Sequence, residues 1–445
     1  MFYTLGTSKF ACAKMLNMLN TNKLINYILQ EVKRHEHGIL LHSGSYKVPG
    51  PSHFEVLSGW NALDVMDLTT NFSISQIDEF TEKHRGKWIF IHLSYDLKNS
   101  IEKRLKSDHQ DAIGFPLMTL FVPEFVGIIK EGKCKLLQQH RIKNSSEEIP
   151  IPETLQVEKA NEKSLKINLT FQDDLKYKDR YIDSINRIHD HLQQGDIYEI
   201  NYCLPFQGSG KIIDPAEFWW SMQSQNQAPF SALYRHKYLW LMCCSPERFI
   251  YKEGDKIISQ PIKGTSKRDP DPSLDIVLKT QLQNNKKEQA ENVMIVDLVR
   301  NDLGKIAQTG SVQVDELFGA YSLKSVHQLI STVSATLKNN TSFSAILKAC
   351  FPMGSMTGAP KIRAMEIIEE LEFFKRGLYS GSVGYISPEG NFDFNVVIRS
   401  VLYNSLSDIF LYPAGGAITA KSNIEKEFEE CLLKAQSMKT ALTDL

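Results

Sequence analysis

The chain has 445 residues, 51 of them lysine or arginine against 52 aspartates and glutamates, for a formal net charge of −1. That balance speaks against a nucleic-acid binder, which carries a basic stripe. Hydrophobic residues at 42% and charged residues at 23% exclude a wholly disordered chain. The most apolar run, Tyr238 to Cys244, is far short of the roughly 20 residues that span a bilayer, so no membrane association is expected.

The length predicts roughly two or three domains, or one large intertwined α/β unit. Lys9 and Lys14 interrupt the segment Met1–Asn20, which therefore does not read as a signal peptide. The seven cysteines show no C-x-x-C spacing, and several sit in apolar strings such as Leu241-Met242-Cys243-Cys244. Buried thiols in a reducing, cytoplasmic setting are the simplest expectation. None lies in a G-x-C-x-G turn, so no cysteine nucleophile elbow is present.

In chain order, residues 1–150 read as a mixed α/β region, with strands at Ile39–Leu41 and Trp88–Leu93. The stretch from Asn144 to Lys166, with Ser145-Ser146-Glu147-Glu148, Pro150 and Pro152, reads as an exposed connection. A second region, residues 165–445, follows. Tyr181, Ile185, Ile188 and Leu192 share one face of a helix that Gly195 ends. Strands are expected at Ile197–Leu204, Tyr238–Cys244 and Lys256–Ile258, then a helix at Lys286–Leu303. A glycine-rich turn and helix fill Phe351–Leu371. Strands at Gly381–Ile386, Phe394–Leu402 and Ile409–Pro413 precede a last helix at Ile424–Leu442. The irregular alternation predicts a mixed α/β fold of the α+β type.

Lys263, in Pro261-Ile262-Lys263-Gly264-Thr265, follows a strand and is placed to reach into a cleft. A lysine becomes a nucleophile when its surroundings lower its pKa, although a surface lysine in a turn would have the same sequence. Glu291 lies on one predicted helix. Glu427 and Glu430, three apart, share a face of another. Such carboxylates repel unless a cation stands between them, and oxygen donors without His or Cys suit Mg²⁺; a solvated acidic face is the plainer alternative. The run Gly354 to Lys361, with Thr357 and Pro360, reads as an anion cradle before a helix. Tyr385 and Arg399 suit a carboxylate ligand. His327 would orient or protonate a leaving oxygen, if it is not simply a structural histidine.

Taken in order, six motifs resemble the chorismate-utilising enzymes. They are Gly195-Asp196-Ile197-Tyr198, Ser245-Pro246-Glu247-Arg248-Phe249, Pro261 to Thr265, Met294 to Gly304, Thr357 to Lys361, and Gly415-Gly416-Ala417-Ile418. The resemblance is close over roughly residues 177–440 and loose before that, mainly at Ser43 and Ser94 to Leu97. It implies a two-sheet core with surrounding helices, and Mg²⁺ held by Glu291, Glu427 and Glu430. Lys263 is the mark of the branch that aminates chorismate; the anthranilate-forming branch usually carries Ala there. The resemblance therefore implies that chorismate plus ammonia gives 4-amino-4-deoxychorismate, a precursor of p-aminobenzoate and folate.

In that scheme Lys263 adds to ring C2 as the C4 hydroxyl leaves, and Glu247 is the general acid. Tyr385, Arg399 and the Gly415-Gly416 backbone hold the enolpyruvyl carboxylate, while Thr357 and Lys361 line the site. Ammonia comes from a separate class I glutamine amidotransferase subunit. The family's Gly-Asp-x-Tyr-Gln-x-Asn is altered here: Glu199 stands where Gln is usual, free either to pair with Lys263 or to take a proton from ammonium. Ser43 implies a tryptophan site. The main rival is anthranilate formation, and a non-catalytic chorismate-binding regulator is the rival from another class.

Overall fold

A computed structural model describes residues 21–44, 54–70, 72–141, 145–152 and 169–443. The segment Met1–Asn20 and most of the connection read at 144–166 lie outside the described residues. At its start that connection does more than link: Ser146–Ile149 is a short strand paired antiparallel on Lys133–Gln139.

The described strands form two hydrogen-bonded sheets of very unequal size, one of nineteen strands and one of three. The first 150 residues are woven into the large sheet rather than set apart from it. His37–His42 pairs with Phe230–His236, and Ile89–Leu93 pairs with Ser382–Ile386. The central strands are buried on both faces. Along Leu239–Ser245, Leu239, Leu241 and Cys243 enter one hydrophobic cluster, while Trp240, Met242 and Cys244 enter another. This is the period-two alternation of a strand sandwiched between two cores.

The three-stranded sheet positions the site. Glu199–Leu204 lies at its centre, between Ala414–Thr419 and the two-residue strand Gly358–Ala359. Gly358 has φ +146°, and a Cβ there would stand 2.2 Å from the Glu199 carbonyl oxygen. Only glycine lets that strand lie so close. Arg376 ties the same region together. Its guanidinium is buried, pairs with Glu372 at 2.6 Å, and donates to the carbonyls of Met356 at 2.7 Å and Asn201 at 2.8 Å.

The predicted helices are present: Lys178–Gln194, ended by Gly195 with φ +79°, then Lys286–Ile306, Lys361–Leu371 and Ile424–Thr443. One predicted strand is divided. Phe392–Asn395 and Ser400–Asn404 are separate strands, and Arg399 sits in the break with φ +51°. A non-glycine residue in that region is costly unless its surroundings impose it, and such strain collects at ligand sites.

Candidate active site

A cleft of about 590 Å³ opens between the small sheet, the strand Ile262–Lys267 and the first turns of two helices. Lys263 is one of its buried lining residues. It pairs with Glu199 through Nζ–Oε1 at 2.6 Å, with 9% and 1% of the two side chains exposed. A bulge between Ile262 and Thr265 shifts the register there, and Gly264, at φ +91°, supplies the turn. Such a bulge re-aims a side chain out of the regular ladder. Burial works against the Lys263 charge. Glu199, then Glu291 and Glu247, more than offset it, so the ammonium is held above the usual lysine range.

Glu247 lies on the same wall. Burial pushes its carboxyl up to about 7, against the pull of nearby Lys263, so the proton is retained near neutrality. It also belongs to the part of the cleft lined by Ile262, Gly264, Ser355 and Met356.

The opposite wall is acidic. Asn285 caps Lys286–Ile306 by accepting from the backbone N–H groups of Lys287 and Glu288, which brings Glu288 and Glu291 to the cleft. The helix Ile424–Thr443 brings Glu427 and Glu430 to it from the other side. Burial raises Glu291 to about 7, with Lys263 opposing. Its Oε1 is buried without a hydrogen-bond partner. Lys287 stands among these acids, 3.4 Å from Glu427 and 3.7 Å from Glu291, and is 47% exposed. Glu430 is exposed and pairs with Lys434 at 2.9 Å.

This donor set fits Mg²⁺. It offers carboxylate oxygens only, one of them orphaned, with a side-chain ammonium between two of them. Among the described residues no group of three or more acidic, His or Cys side chains is arranged to hold a metal ion. Mg²⁺ commonly uses only one or two protein carboxylates, keeping waters and taking oxygens from its substrate.

Arg399, Gly415 and Gly416 line the cleft as expected. Four other expectations need correction. Tyr385 lines a different cavity, with Ser43, Phe54, Arg248 and Asp393; the phenol in the active cleft is Tyr379. His327 is buried on a strand whose alternate residues, Val326 and Gln328, face the cleft. Its two ring nitrogens engage Ser322 Oγ and Asp275 Oδ1, both at 2.9 Å, so it is a structural histidine. Gln328, with an unpartnered Oε1, takes the cleft position. Lys361 is fully engaged elsewhere, by Asp302 and by the carbonyls of Pro352 at 2.7 Å and Cys350 at 3.0 Å. Thr357 is buried, and its hydroxyl donates to the carbonyls of Met353 and Gly354. The cradle loop does reach the cleft, but through Ser355 and Met356.

Residues 53–440 match the family model described as chorismate binding enzyme, and the chain belongs to that family. Over 253 residues it is 41% identical to aminodeoxychorismate synthase component 1 of Escherichia coli, covering 57% of this chain and 55% of that one. Over 266 residues it is 43% identical to a probable chloroplastic aminodeoxychorismate synthase of rice, covering 59% and 29%. The chain thus spans about half or less of these relatives' length. An anthranilate synthase component I-like protein of Synechocystis is 34% identical over 400 residues, covering 89% and 80%. Among solved structures, anthranilate synthase component I of Streptococcus pneumoniae superposes with a TM-score of 0.72 at 25% identity, covering 89% and 94%. An isochorismate synthase of Escherichia coli shares the fold, with a TM-score of 0.71 at 18% identity.

Proposed function

We propose that the chain converts chorismate and ammonia into 4-amino-4-deoxychorismate, with Lys263 as the nucleophile. The observation that carries this reading is a buried amine lining the cleft, near a carboxylic acid that holds its proton near neutral pH. The relatives named aminodeoxychorismate synthase support the same outcome. Arg399, Tyr379 and the Gly415-Gly416 backbone hold the enolpyruvyl carboxylate. Glu291, Glu427 and Glu430 would hold Mg²⁺, which when bound neutralises the ring carboxylate of chorismate.

Lys263 Nζ forms a bond to C2, and the ring double bonds shift. The C4–O bond breaks as Glu247 gives the departing hydroxyl its proton, so water leaves. Ammonia then bonds to C4, the C2–N bond to Lys263 breaks, and the Glu247 carboxylate takes a proton from the new ammonium. Every proton is returned.

Ammonia is supplied by a separate glutaminase subunit. The words "component 1" in the name of the Escherichia coli relative support this. So does the state of the described thiols: burial pushes Cys203, Cys244 and Cys350 up to about 12, far from a reactive thiolate. Such free, buried thiols also suit a cytoplasmic setting. Among the described residues no helix is long and apolar enough to cross a membrane.

The cavity holding Ser43 and Tyr385, walled by Phe54 and Phe230 and closed by the Arg248–Asp393 pair at 2.9 Å, is assigned to tryptophan. Calorimetric titration with tryptophan tests that assignment.

The test of the main reading is a mass-resolved product assay with chorismate, Mg²⁺ and an ammonium salt. Aminodeoxychorismate alone is expected. Anthranilate with pyruvate would replace this reading with the rival one. Mg²⁺-dependent chorismate binding without turnover would make the chain a regulator.

A further inference from the structure

Lys263 begins the reaction with an obstacle. As an ammonium it has no lone pair, yet the site holds it protonated. Some group must take that proton before the C2–N bond forms. The acidic groups that face Lys263 are Glu199, Glu247, Glu288 and Glu291, with Lys287 as the neighbouring cation. Only Glu199 is within ion-pair reach of Nζ among the described residues. Glu247 is needed with its own proton, and Glu291 would be taken up by Mg²⁺.

Three further observations concern Glu199. Its second oxygen, Oε2, is buried and has no hydrogen-bond partner among the described residues. A buried carboxylate oxygen without a donor is a polar atom that the surrounding fold leaves unserved. Its backbone is fixed on both sides, by Ala359 and by Thr419, so the carboxylate is held against Nζ. At 1% exposure, it has almost no direct contact with bulk water.

We propose that Glu199 is the base that takes the Lys263 proton inside the closed cleft, turning an ammonium–carboxylate pair into an amine–carboxylic acid pair. This rests on the covalent reading above. The transfer moves one proton from Nζ to Oε1 and leaves the net charge of the pair unchanged. Substrate, by covering the cleft, removes the water that favours the charged form. The neutral amine then adds to C2. When ammonia later expels Lys263 as an amine, Glu199 returns the proton and restores the ion pair. The proton never visits solvent.

An internal transfer has a pH signature. If Lys263 lost its proton to water, the rate of adduct formation would climb about tenfold per pH unit below its pKa. With the proton held within the pair, that acid limb is absent. The experiment is quenched-flow mass spectrometry of the full chain with saturating Mg²⁺ and chorismate and no ammonia, following the Lys263 adduct of chorismate less one water. Leaving ammonia out removes its own titration, and saturating Mg²⁺ keeps Glu291 ionised.

The wild-type rate is expected to stay level from about pH 6 to about pH 7 and to fall above that as Glu247 loses its proton. Glu199→Gln is expected to be about a hundredfold or more slower near pH 7, in the range typical of a lost general base, and to gain a rising acid limb. Glu199→Asp, which keeps a carboxylate, should recover the level profile at reduced rate. A level profile in Glu199→Gln overturns the assignment. So does a rising acid limb in the wild type, a result that needs no variant to fold. No wild-type adduct at any pH would instead sink the covalent reading itself.

Discussion

The two walls of the cleft are built on opposite principles. The Lys263–Glu199–Glu247 wall is made of strands, is almost closed to solvent, and has its charges locked by short contacts. The Glu288–Glu291–Glu427–Glu430 wall is carried by two helices, and its counter-charges are the partly exposed lysines Lys287 and Lys434. A reacting amine must be held in one geometry and kept dry, which sheets do well. Acids that accept and release an ion gain from partners that can swing away. On the proposed reading, one wall is fixed for bond making and the other is adjustable for loading an ion.

The sharpest break in that comparison is Lys263→Ala. Removing the nucleophile should lower amination by about a thousandfold or more, on the scale seen when a covalent catalyst is deleted. Calorimetric Mg²⁺ binding at pH 8 should be kept and modestly tightened, because the change removes a cation that acts on Glu291 without removing a carboxylate. A variant that kept a tenth of wild-type turnover would refute the division of labour.

Next in size is the loading wall. Glu291→Gln should weaken Mg²⁺ about ten- to a hundredfold, as loss of a metal-facing carboxylate typically does, with turnover partly restored by excess Mg²⁺. In the wild type, Glu291 holds a proton up to about pH 7, so Mg²⁺ and protons compete below that point. Calorimetry should show affinity falling as pH drops from 8 to 6. The carboxyls of Glu291 and Glu247 are both raised above their ordinary values. Their contribution to the stability of the metal-free protein is therefore present in acid and lost as pH rises toward about 7. Its melting temperature should fall across that window and be recovered by Mg²⁺ at the upper end.

A smaller effect separates the two phenols. Tyr379→Phe should raise KM for chorismate about tenfold, the lower end of what one hydrogen bond to a charged group supplies. Tyr385→Phe should leave KM near wild type. Equal effects would mean that the second cavity communicates with the first.

Smallest of all is Lys287→Met. It removes the tethered ammonium and should tighten Mg²⁺ by no more than about fivefold, the range of a half-exposed ion pair. It should also lower the melting temperature of the metal-free protein but not of the Mg²⁺-loaded one. An unchanged Mg²⁺ affinity would show that Lys287 does not stand in the way of the ion.

What the sequence disclosed follows the same division. The acidic wall was legible because helices place i and i+3 residues on one face, so Glu427 and Glu430 could be paired by counting. The strand wall was legible in residue type but not in direction. Counting along Val326-His327-Gln328 does not say which residues face the cleft, and a one-residue choice inverts every side chain. His327 was favoured for its chemistry, but Asp275 and Ser322, distant or irregularly placed in sequence, hold it on the other side. Tyr385 stands out in sequence for its chemistry in the same way, while Tyr379 draws no notice there. The signal that would have separated them is the period of the strand Ser382–Ile386, which begins after Tyr379. Lys361 and Thr357 drew attention through their motif. Their polar atoms are spent on carbonyls of the loop they stabilise, a role that no spacing announces. The Glu199–Lys263 pair brings a strand of the small sheet against a bulge of the large one, a contact only the tertiary fold creates.

The pairing of Ile89–Leu93 with Ser382–Ile386 also has a consequence for biogenesis. A nascent chain can close the pairing of Ile89–Leu93 with Met118–Lys130 early, but the ladder to Ser382–Ile386 must wait until that distant segment has been made. Long-range strand pairing of this kind folds slowly and leaves apolar edges open meanwhile. Ile89, Ile91 and Leu93, buried in the folded protein, therefore pass that interval on an unpaired sheet edge open to misassociation.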